Sequence, residues 1–212
     1  YTPSPPPNEE NNYHVQCEWN YKDRRWAYEV EIPVTLYEHL KGTERSANYD
    51  DYAVNDLDDD WLQETATTFK TQAEQAGWGF LDTVDFVMSF VQNIPYTVDP
   101  ETTSYDEYPR YPIETMIDEG GDCEDTVVLL ITILKEMGYD VALLLFASDQ
   151  HMAAGVHITQ EFVDGWTESY SLRYYKGLNG KNYAYCDTTG LGYRPGEQPE
   201  KIKGSANILP IE

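Results

Sequence analysis

The segment GGDCEDTVVLL (residues 120–130) decides the fold, because it joins two glycines, an acid and a cysteine to an apolar helical run. Asp122 is a residue type that caps helix N-termini, which places Cys123 in the first turn. Free backbone N–H groups at a helix start favour the thiolate form of a cysteine. The charges of Glu124 and Asp125 oppose this unless they point away or are hydrogen-bonded. The segment predicts either a nucleophile or an inert buried thiol.

Helices precede strands along the chain around this segment. Helical spacing of apolar residues, closed by glycine or proline, occurs in three runs: 61–76, 80–94 and 123–137. Four strands are predicted behind the cysteine helix: 140–147, 152–159, 168–175 and 182–189. This order predicts an α+β fold, with the cysteine helix packed on a mostly antiparallel sheet.

The remaining segments define the predicted domain organisation. Strands at 13–20 and 25–33 meet at a turn near Asp23, and a short helix follows at 34–42. A long loop rich in tyrosine and proline fills 95–119, with one helical turn at 112–117. The predicted domains are a proline-rich linker (1–12), an N-terminal extension of strands and helix (13–78), a catalytic core (79–193) and an extended tail packing on the core (194–212).

Charge limits the classes of partner. The 212 residues include 38 acids and 14 Lys plus Arg, a formal net charge of −24. Such a chain repels phosphate backbones and anionic lipids, so we expect no nucleic-acid partner. No apolar run reaches about 18 residues, so no membrane insertion is expected. The opening YTPSPPPNEENN (1–12) is similar to the remnant of a tether and predicts a secreted or cell-surface domain of a longer protein. Oligomeric state does not follow from the sequence.

Cysteine count leaves at least one free thiol among Cys17, Cys123 and Cys186. In oxidising surroundings a Cys17–Cys186 disulfide is the pairing that spares Cys123. The alternative is two buried free thiols, which are common core residues.

A nucleophilic thiol needs a base, and the base needs a group that orients it. His151 begins one predicted strand, and His157 lies about 20 Å further along it at 3.3 Å per residue, so at most one reaches Cys123. Asp187 falls in the last apolar strand, where an acid needs a partner. The order Cys123, His151, Asp187 fits a triad, although spacing alone also fits three unrelated residues.

Longer motifs add a family resemblance. GGDCEDTVVLLITILKEMGYDVALLL (120–145) resembles the core signature of the transglutaminase-like superfamily. FVQNIPY (90–96), HMAAGV (151–156) and YCDTT (185–189) are similar to its helix-to-loop, histidine and aspartate motifs. The similarity covers about residues 80–190, and DEYPRYPIETMIDEGGDCED (106–125) is similar in particular to members common in archaea.

The resemblance implies a papain-like core in which Cys123 is the nucleophile, His151 the base and Asp187 the residue that orients the base. It implies attack on a peptide or protein amide and a thioester intermediate. The oxyanion needs donors. The Cys123 backbone N–H is one, and Gln92 or Tyr96 is a candidate second donor, with loop anchoring as the alternative. No cofactor and no metal are expected at the site.

Three functions remain open at this stage. A peptidase, isopeptidase or amidase is the simplest. An acyltransferase that cross-links glutamine to amines would use the same triad. A non-catalytic binding module is the third, because Met152 and Ala153 replace the residues usual after the histidine, which removes an aromatic wall.

An acidic run, NYDDYAVNDLDDD (48–60), raises the question of calcium. It lacks the glycine and the closing glutamate of an EF-hand loop. A solvated loop that leads into the next helix is the preferred interpretation.

Overall fold

The computed structural model describes residues 11–55, 59–99, 103, 105 and 107–211. The linker predicted at 1–12 lies almost entirely outside the described residues, as do positions 56–58 of the acidic run. No helix in the described ranges is both long and apolar enough to cross a membrane.

The described chain begins with a β-hairpin. Strands β1 (Asn12–Tyr21) and β2 (Arg24–Pro33) pair antiparallel, with Trp19 opposite Trp26. Lys22 and Asp23 both have positive φ, at 47° and 57°, which is the conformation of a two-residue turn matched to strand twist. The predicted strands and their turn are confirmed.

Helices follow the hairpin. They are α1 (Val34–Lys41), α2 (Asp50–Ala53), α3 (Asp59–Ala76), α4 (Phe80–Val91), α5 (Pro112–Ile117) and α6 (Cys123–Glu136). Gly77 and Gly138, at φ 69° and 92°, follow α3 and α6 in the left-handed conformation that glycine adopts without strain. The predicted helices exist, including the single turn at 112–117.

A five-stranded antiparallel sheet completes the fold. Strands β3 (Val141–Phe146), β4 (His151–Ile158), β5 (Tyr174–Lys176), β6 (Asn182–Cys186) and β7 (Asn207–Pro210) lie in the order β5-β6-β4-β3-β7. A short helix, α7 (Gln160–Asp164), follows β4. The tail strand β7 pairs antiparallel with β3 at the edge. The α+β class and the cysteine helix against an antiparallel sheet are confirmed.

An aromatic cluster joins the hairpin to the helices. The ring of Phe86 on α4 is the centre of this cluster, with centroids between 4.8 and 5.6 Å from five rings: Trp19, Tyr21, Trp26, Phe69 and Trp78. The same core continues into the buried face of α6 and into Val141 and Leu143 of β3. The hairpin and the helix that carries Cys123 therefore share one packed interior.

Three predicted boundaries are wrong by three residues or more. Helix α4 ends at Val91, because Asn93 and Ile94 donate to carbonyls three residues back, which tightens the chain into turns. The strand predicted at 168–175 is reduced to Tyr174–Lys176. Asp187 lies just after β6, since regular pairing stops at Cys186.

All three cysteines are free. Cys186 is buried at the end of β6, and Cys17 is half-buried on the hairpin. The alternative of two free thiols is the one found, and the Cys17–Cys186 disulfide is absent.

Truncating the centre of the aromatic cluster tests the shared core. We expect Phe86→Ala to lower the free energy of unfolding by about 3–5 kcal/mol. Urea denaturation followed by both tryptophan fluorescence and circular dichroism should give one coincident transition. Exposed Tyr174→Ala is the matched control, with a change within about 0.5 kcal/mol. Separate transitions would show that the hairpin folds independently.

Candidate active site

Two glycines bring the cysteine close to the preceding loop. Tyr96 and Gly121 form a parallel bridge, and Thr97 N–H donates to the Gly121 carbonyl at 2.9 Å. A Cβ on Gly120 would lie 2.9 Å from Thr97 Oγ1, and one on Gly121 would lie 2.6 Å from Asp125 Cβ. A side chain at either position would force Thr97 or Asp125 to move, so the two glycines allow the loop and the start of α6 to pack closely.

A buried ion-pair network fixes the start of α6. Arg110, 2% exposed, contacts Asp125 Oδ2 at 2.5 Å and Asp99 Oδ1 at 2.9 Å through Nη1. Its backbone N–H donates to Asp125 Oδ1 at 2.7 Å, and Asp122 N–H donates to Asp125 Oδ2 at 3.2 Å. Asp125 thus points away from the thiol and ties the long loop to the cysteine helix.

Glu124, in contrast, faces the thiol. Cys123 Sγ donates to Glu124 Oε2 at 3.1 Å. Burial, followed by the charge and hydrogen bond of Glu124, raises the pKa of Cys123, and the Met152 backbone N–H directed at the sulfur lowers it only in part. Burial and hydrogen bonds with Glu107 and Asp122 raise the pKa of Glu124 to about 10. The free site therefore holds a protonated thiol, although a helix N-terminus alone favours a thiolate.

His151 is the first residue of β4 and lies opposite Phe146. Its Nε2 is 3.2 Å from Asp187 Oδ2 and 2.9 Å from the Tyr185 hydroxyl. Both contacts use the same ring nitrogen, which leaves Nδ1 as the nitrogen able to take a proton from a thiol. His157 lies further along β4, where its ring meets Tyr183.

Asp187 is completely buried and saturated with donors. The Tyr185 hydroxyl donates to Oδ2 at 2.5 Å, and Thr189 donates to Oδ1 through its N–H at 2.9 Å and its hydroxyl at 2.6 Å. Burial acts to raise the pKa of Asp187, but the hydrogen bonds from His151, Thr189 and Tyr185 outweigh it and lower that pKa below its usual value. The carboxylate stays ionised beside the histidine.

Cys123 and His151 line the same two cavities. One, of about 510 Å³, also contains Tyr96, Thr189 and Lys201. The second, of about 330 Å³, contains Tyr49, Glu107, Asp122 and Glu124. The structure therefore brings together the three residues predicted as a triad, with sulfur and imidazole facing common open space.

Gln92 and Tyr96, the candidate oxyanion donors, differ in their surroundings. Gln92 Nε2 donates to the Asp187 and Tyr193 carbonyls, both at 2.8 Å, and Oε1 accepts from Gly192 N–H at 3.0 Å. Its amide holds the loop after Asp187, so its role as an oxyanion donor stays a prediction that requires those bonds to break. Tyr96 is 52% exposed at the cavity, and burial followed by the nearby Cys123 raises its pKa to about 12.

One set of potential metal ligands occurs in the part of the chain that the structure describes. Asp122, Cys123 and Glu124 each place a ligand atom within 4.8 Å of the others. Carboxylates suit hard cations and a thiolate suits soft ones, so these donors do not specify a metal. In the acidic run, Tyr49 donates to Glu107 at 2.8 Å, and Ser46 donates to Asp51.

Sequence reasoning missed Tyr185 and Arg110. Tyr185 precedes Asp187 by two residues, so the period of a strand places both on one face, and this signal was available. Arg110 is a single cation in an acidic, aromatic loop, but its three-dimensional partners at 99 and 125 give no local signal.

No protein-family model and no curated protein matches the chain. Solved structures of LapG from Legionella pneumophila are similar to it at low identity. The calcium-bound form is 15% identical over 80% of this chain and 80% of that chain, with a TM-score of 0.41. The EGTA-treated form is 15% identical over 71% and 78%, with a TM-score of 0.39. Scores in this range do not establish a common fold, so the function proposed below rests on this chain's own side chains.

Removing the buried cation tests the network at the helix start. We expect Arg110→Met to lower the free energy of unfolding by about 3–5 kcal/mol, because it leaves Asp99 and Asp125 buried without a counter-charge. Adding Asp125→Leu to this variant should recover part of the loss. The matched control is Arg25→Met, which removes an exposed pair with Glu18 and should cost less than about 1 kcal/mol. Equal losses in urea denaturation would contradict the assignment.

Proposed function

We propose that this chain is a cysteine-dependent amide-bond hydrolase with a remote relation to the transglutaminase-like superfamily. Cys123 is the nucleophile, His151 the base and Asp187 the residue that orients the base. The observation that carries the proposal is the fixed His151 ring. Its Nε2 contacts Asp187 at 3.2 Å and Tyr185 at 2.9 Å, while its free face and Cys123 share one cavity. The location, secreted or cell-surface, remains part of the proposal.

The proposed reaction has two stages. His151 Nδ1 takes the thiol proton as Sγ bonds to the carbonyl carbon, and the resulting oxyanion accepts from the Cys123 backbone N–H. Collapse breaks the C–N bond, and His151 returns the proton to the leaving amine. A water then loses a proton to His151 and attacks the thioester, releasing the acid and the thiol. Hydrolysis is ranked above acyl transfer because the two cavities that Cys123 lines, of about 510 and 330 Å³, show no feature among the described residues that would exclude water.

A non-catalytic binding module is the second candidate, and one observation favours it. Burial, followed by the contact with Glu124, raises the pKa of Cys123, which is opposite to the usual state of a cysteine nucleophile. For catalysis, substrate must displace Glu124 or proton transfer must be concerted with attack. If wild type cleaves amide bonds, mass spectrometry will detect new chain termini that are absent with Cys123→Ser, and this result supports the hydrolase. A broad peptide panel untouched by wild type supports the binding module.

Titrating the Cys123 thiol tests whether Glu124 controls its protonation. Iodoacetamide labelling of Cys123 across pH should have a midpoint above the value of about 8.5 for a free thiol. We expect Glu124→Gln to move the midpoint down, because Glu124, with a pKa raised to about 10, carries its charge in the alkaline range where the thiol titrates and disfavours the thiolate there. Labelling near pH 10 should therefore be faster in the variant than in wild type. The labelled residues are identified by peptide mapping, with Cys123→Ser as the control. The series is run once in EDTA and once in calcium, because Asp122, Cys123 and Glu124 are potential metal ligands. An unchanged profile would show that Glu124 does not control the thiol.

Tyr185 supplies a test of the histidine's orientation. We expect Tyr185→Phe to lower kcat by about 10–100-fold with little change in KM, since the hydroxyl loses two hydrogen bonds, one donated to the Asp187 carboxylate and one shared with His151 Nε2. Tyr183→Phe is the matched control, two residues earlier on β6, where the hydroxyl contacts Asp140 and Asn179. Equal kcat in the two variants would exclude a positioning role.

A further inference from the structure

A basic groove adjoins the candidate active site. Arg173, Lys201 and Lys203 line a cavity of about 770 Å³, and all three side chains are exposed. None of them forms an ion pair with a carboxylate among the described residues, although the chain carries 38 acids against 14 Lys plus Arg. The lining of the groove thus carries three cations and one acid, Glu200, and is net basic on an otherwise acidic protein.

The groove shares a wall with the candidate active site. Lys201 and Ile202 line both the 770 Å³ groove and the 510 Å³ cavity that contains Cys123 and His151. A peptide in the groove that extends across this shared wall would reach the cavity that contains the sulfur. Extended peptides span about 3.3 Å per residue, so several of their side chains would meet the basic wall.

Hydrogen bonds hold the wall that carries the lysines. The Tyr175 hydroxyl donates to Gln198 Oε1 at 2.6 Å, and Gln198 Nε2 donates to the Ile202 carbonyl at 2.7 Å. Gly204 N–H donates to Asp149 Oδ2 at 2.7 Å, and a Cβ on Gly204 would overlap the Ser148 hydroxyl. Hydrogen bonds thus hold the backbone on both sides of Lys203, at Ile202 and Gly204, and the lysines extend from an ordered segment.

Acidic residues line the other cavity at the site. Glu107, Asp122 and Glu124 line the 330 Å³ cavity, which shares Cys123 and His151 with the 510 Å³ cavity. Acids facing the groove itself are Glu200, which lines it, and Asp149, whose carboxylate accepts the Gly204 N–H. Basic residues therefore line the groove and acidic residues line the 330 Å³ cavity, which favours one placement of a charged substrate.

We propose that the groove formed by Arg173, Lys201 and Lys203 binds the acidic part of a peptide or protein substrate, beside the bond that Cys123 attacks. This inference rests on the proposed function. Arg173 offers a planar fork for a carboxylate, and the two lysines act as point charges. The substrate class is therefore an Asp- or Glu-rich segment, despite the acidic character of the chain as a whole.

Binding can be measured without catalysis. The protein is the Cys123→Ser variant, and the probes are fluorescein-labelled peptides of alternating Glu-Ala and alternating Gln-Ala. Anisotropy at low salt should show Glu-Ala bound about tenfold more tightly or better. Salt near 1 M, where the screening length falls to about 3 Å, should remove the difference. Equal affinities for the two peptides would overturn the proposal.

Charge reversal locates the binding site. Adding Lys201→Glu should abolish the preference for Glu-Ala and create one for a Lys-Ala peptide, a gain that a misfolded variant would not show. Lys70→Glu makes the same charge change at an exposed position on α3 and should keep the wild-type preference. If Lys70→Glu and Lys201→Glu lose it equally, net charge and not the groove is responsible.

Cleavage assays separate the two proposals. Wild type should cleave Glu-containing substrates about tenfold faster in kcat/KM than Gln-containing ones. Cleavage without charge preference retains the hydrolase and rejects the groove. Charge-selective binding without any cleavage retains the groove and rejects the hydrolase.

Discussion

The buried guanidinium of Arg110 is the interaction on which the site depends. It has three carboxylate partners. Asp99 lies in the long loop, Asp118 directly follows α5 in the chain, and Asp125 lies in the first turn of α6. Three short segments between residues 99 and 125 thus meet at one cation. In a chain with a net charge of −24 this cation offsets acids that water cannot reach. Asp125 is turned to Arg110, and Glu124 is the acid of the first turn whose carboxyl accepts the thiol hydrogen bond.

Much of the fold follows from local signals. Alternation and a two-residue turn define β1 and β2, and apolar spacing closed by glycine defines α3 and α6. These features are encoded within short windows. The strand predicted at 168–175 is mostly absent because its hydrogen bonds are not made with a neighbouring strand. Arg173 N–H donates to the Gly196 carbonyl, and the Trp166 indole N–H donates to the Tyr170 carbonyl. A short sequence window does not reveal such contacts.

The sequence indicates which residues form the candidate site, but it does not indicate the protonation of Cys123 or the contacts of its neighbours. Cys123, His151 and Asp187 lie at element ends that their own motifs indicate, and the antiparallel register brings the last two within 3.2 Å. The direction of each side chain is a property of packing. Nothing in GGDCED says that Glu124 faces the sulfur while Asp125 faces Arg110, nor that the amide of Gln92 holds the loop after Asp187. Surface charge was misleading too, since an acidic total conceals a basic groove.

The hydrogen bond from Cys123 to Glu124 has a consequence for how fast the sulfur is oxidised. Peroxide attacks the thiolate form of cysteine, and the first product is sulfenic acid. A thiol that is half-buried, protonated and bonded to a carboxyl at 3.1 Å presents little of that form. We therefore expect the resting thiol to react slowly with peroxide. A ligand that moves Glu124 aside exposes the sulfur to both its target and its oxidants.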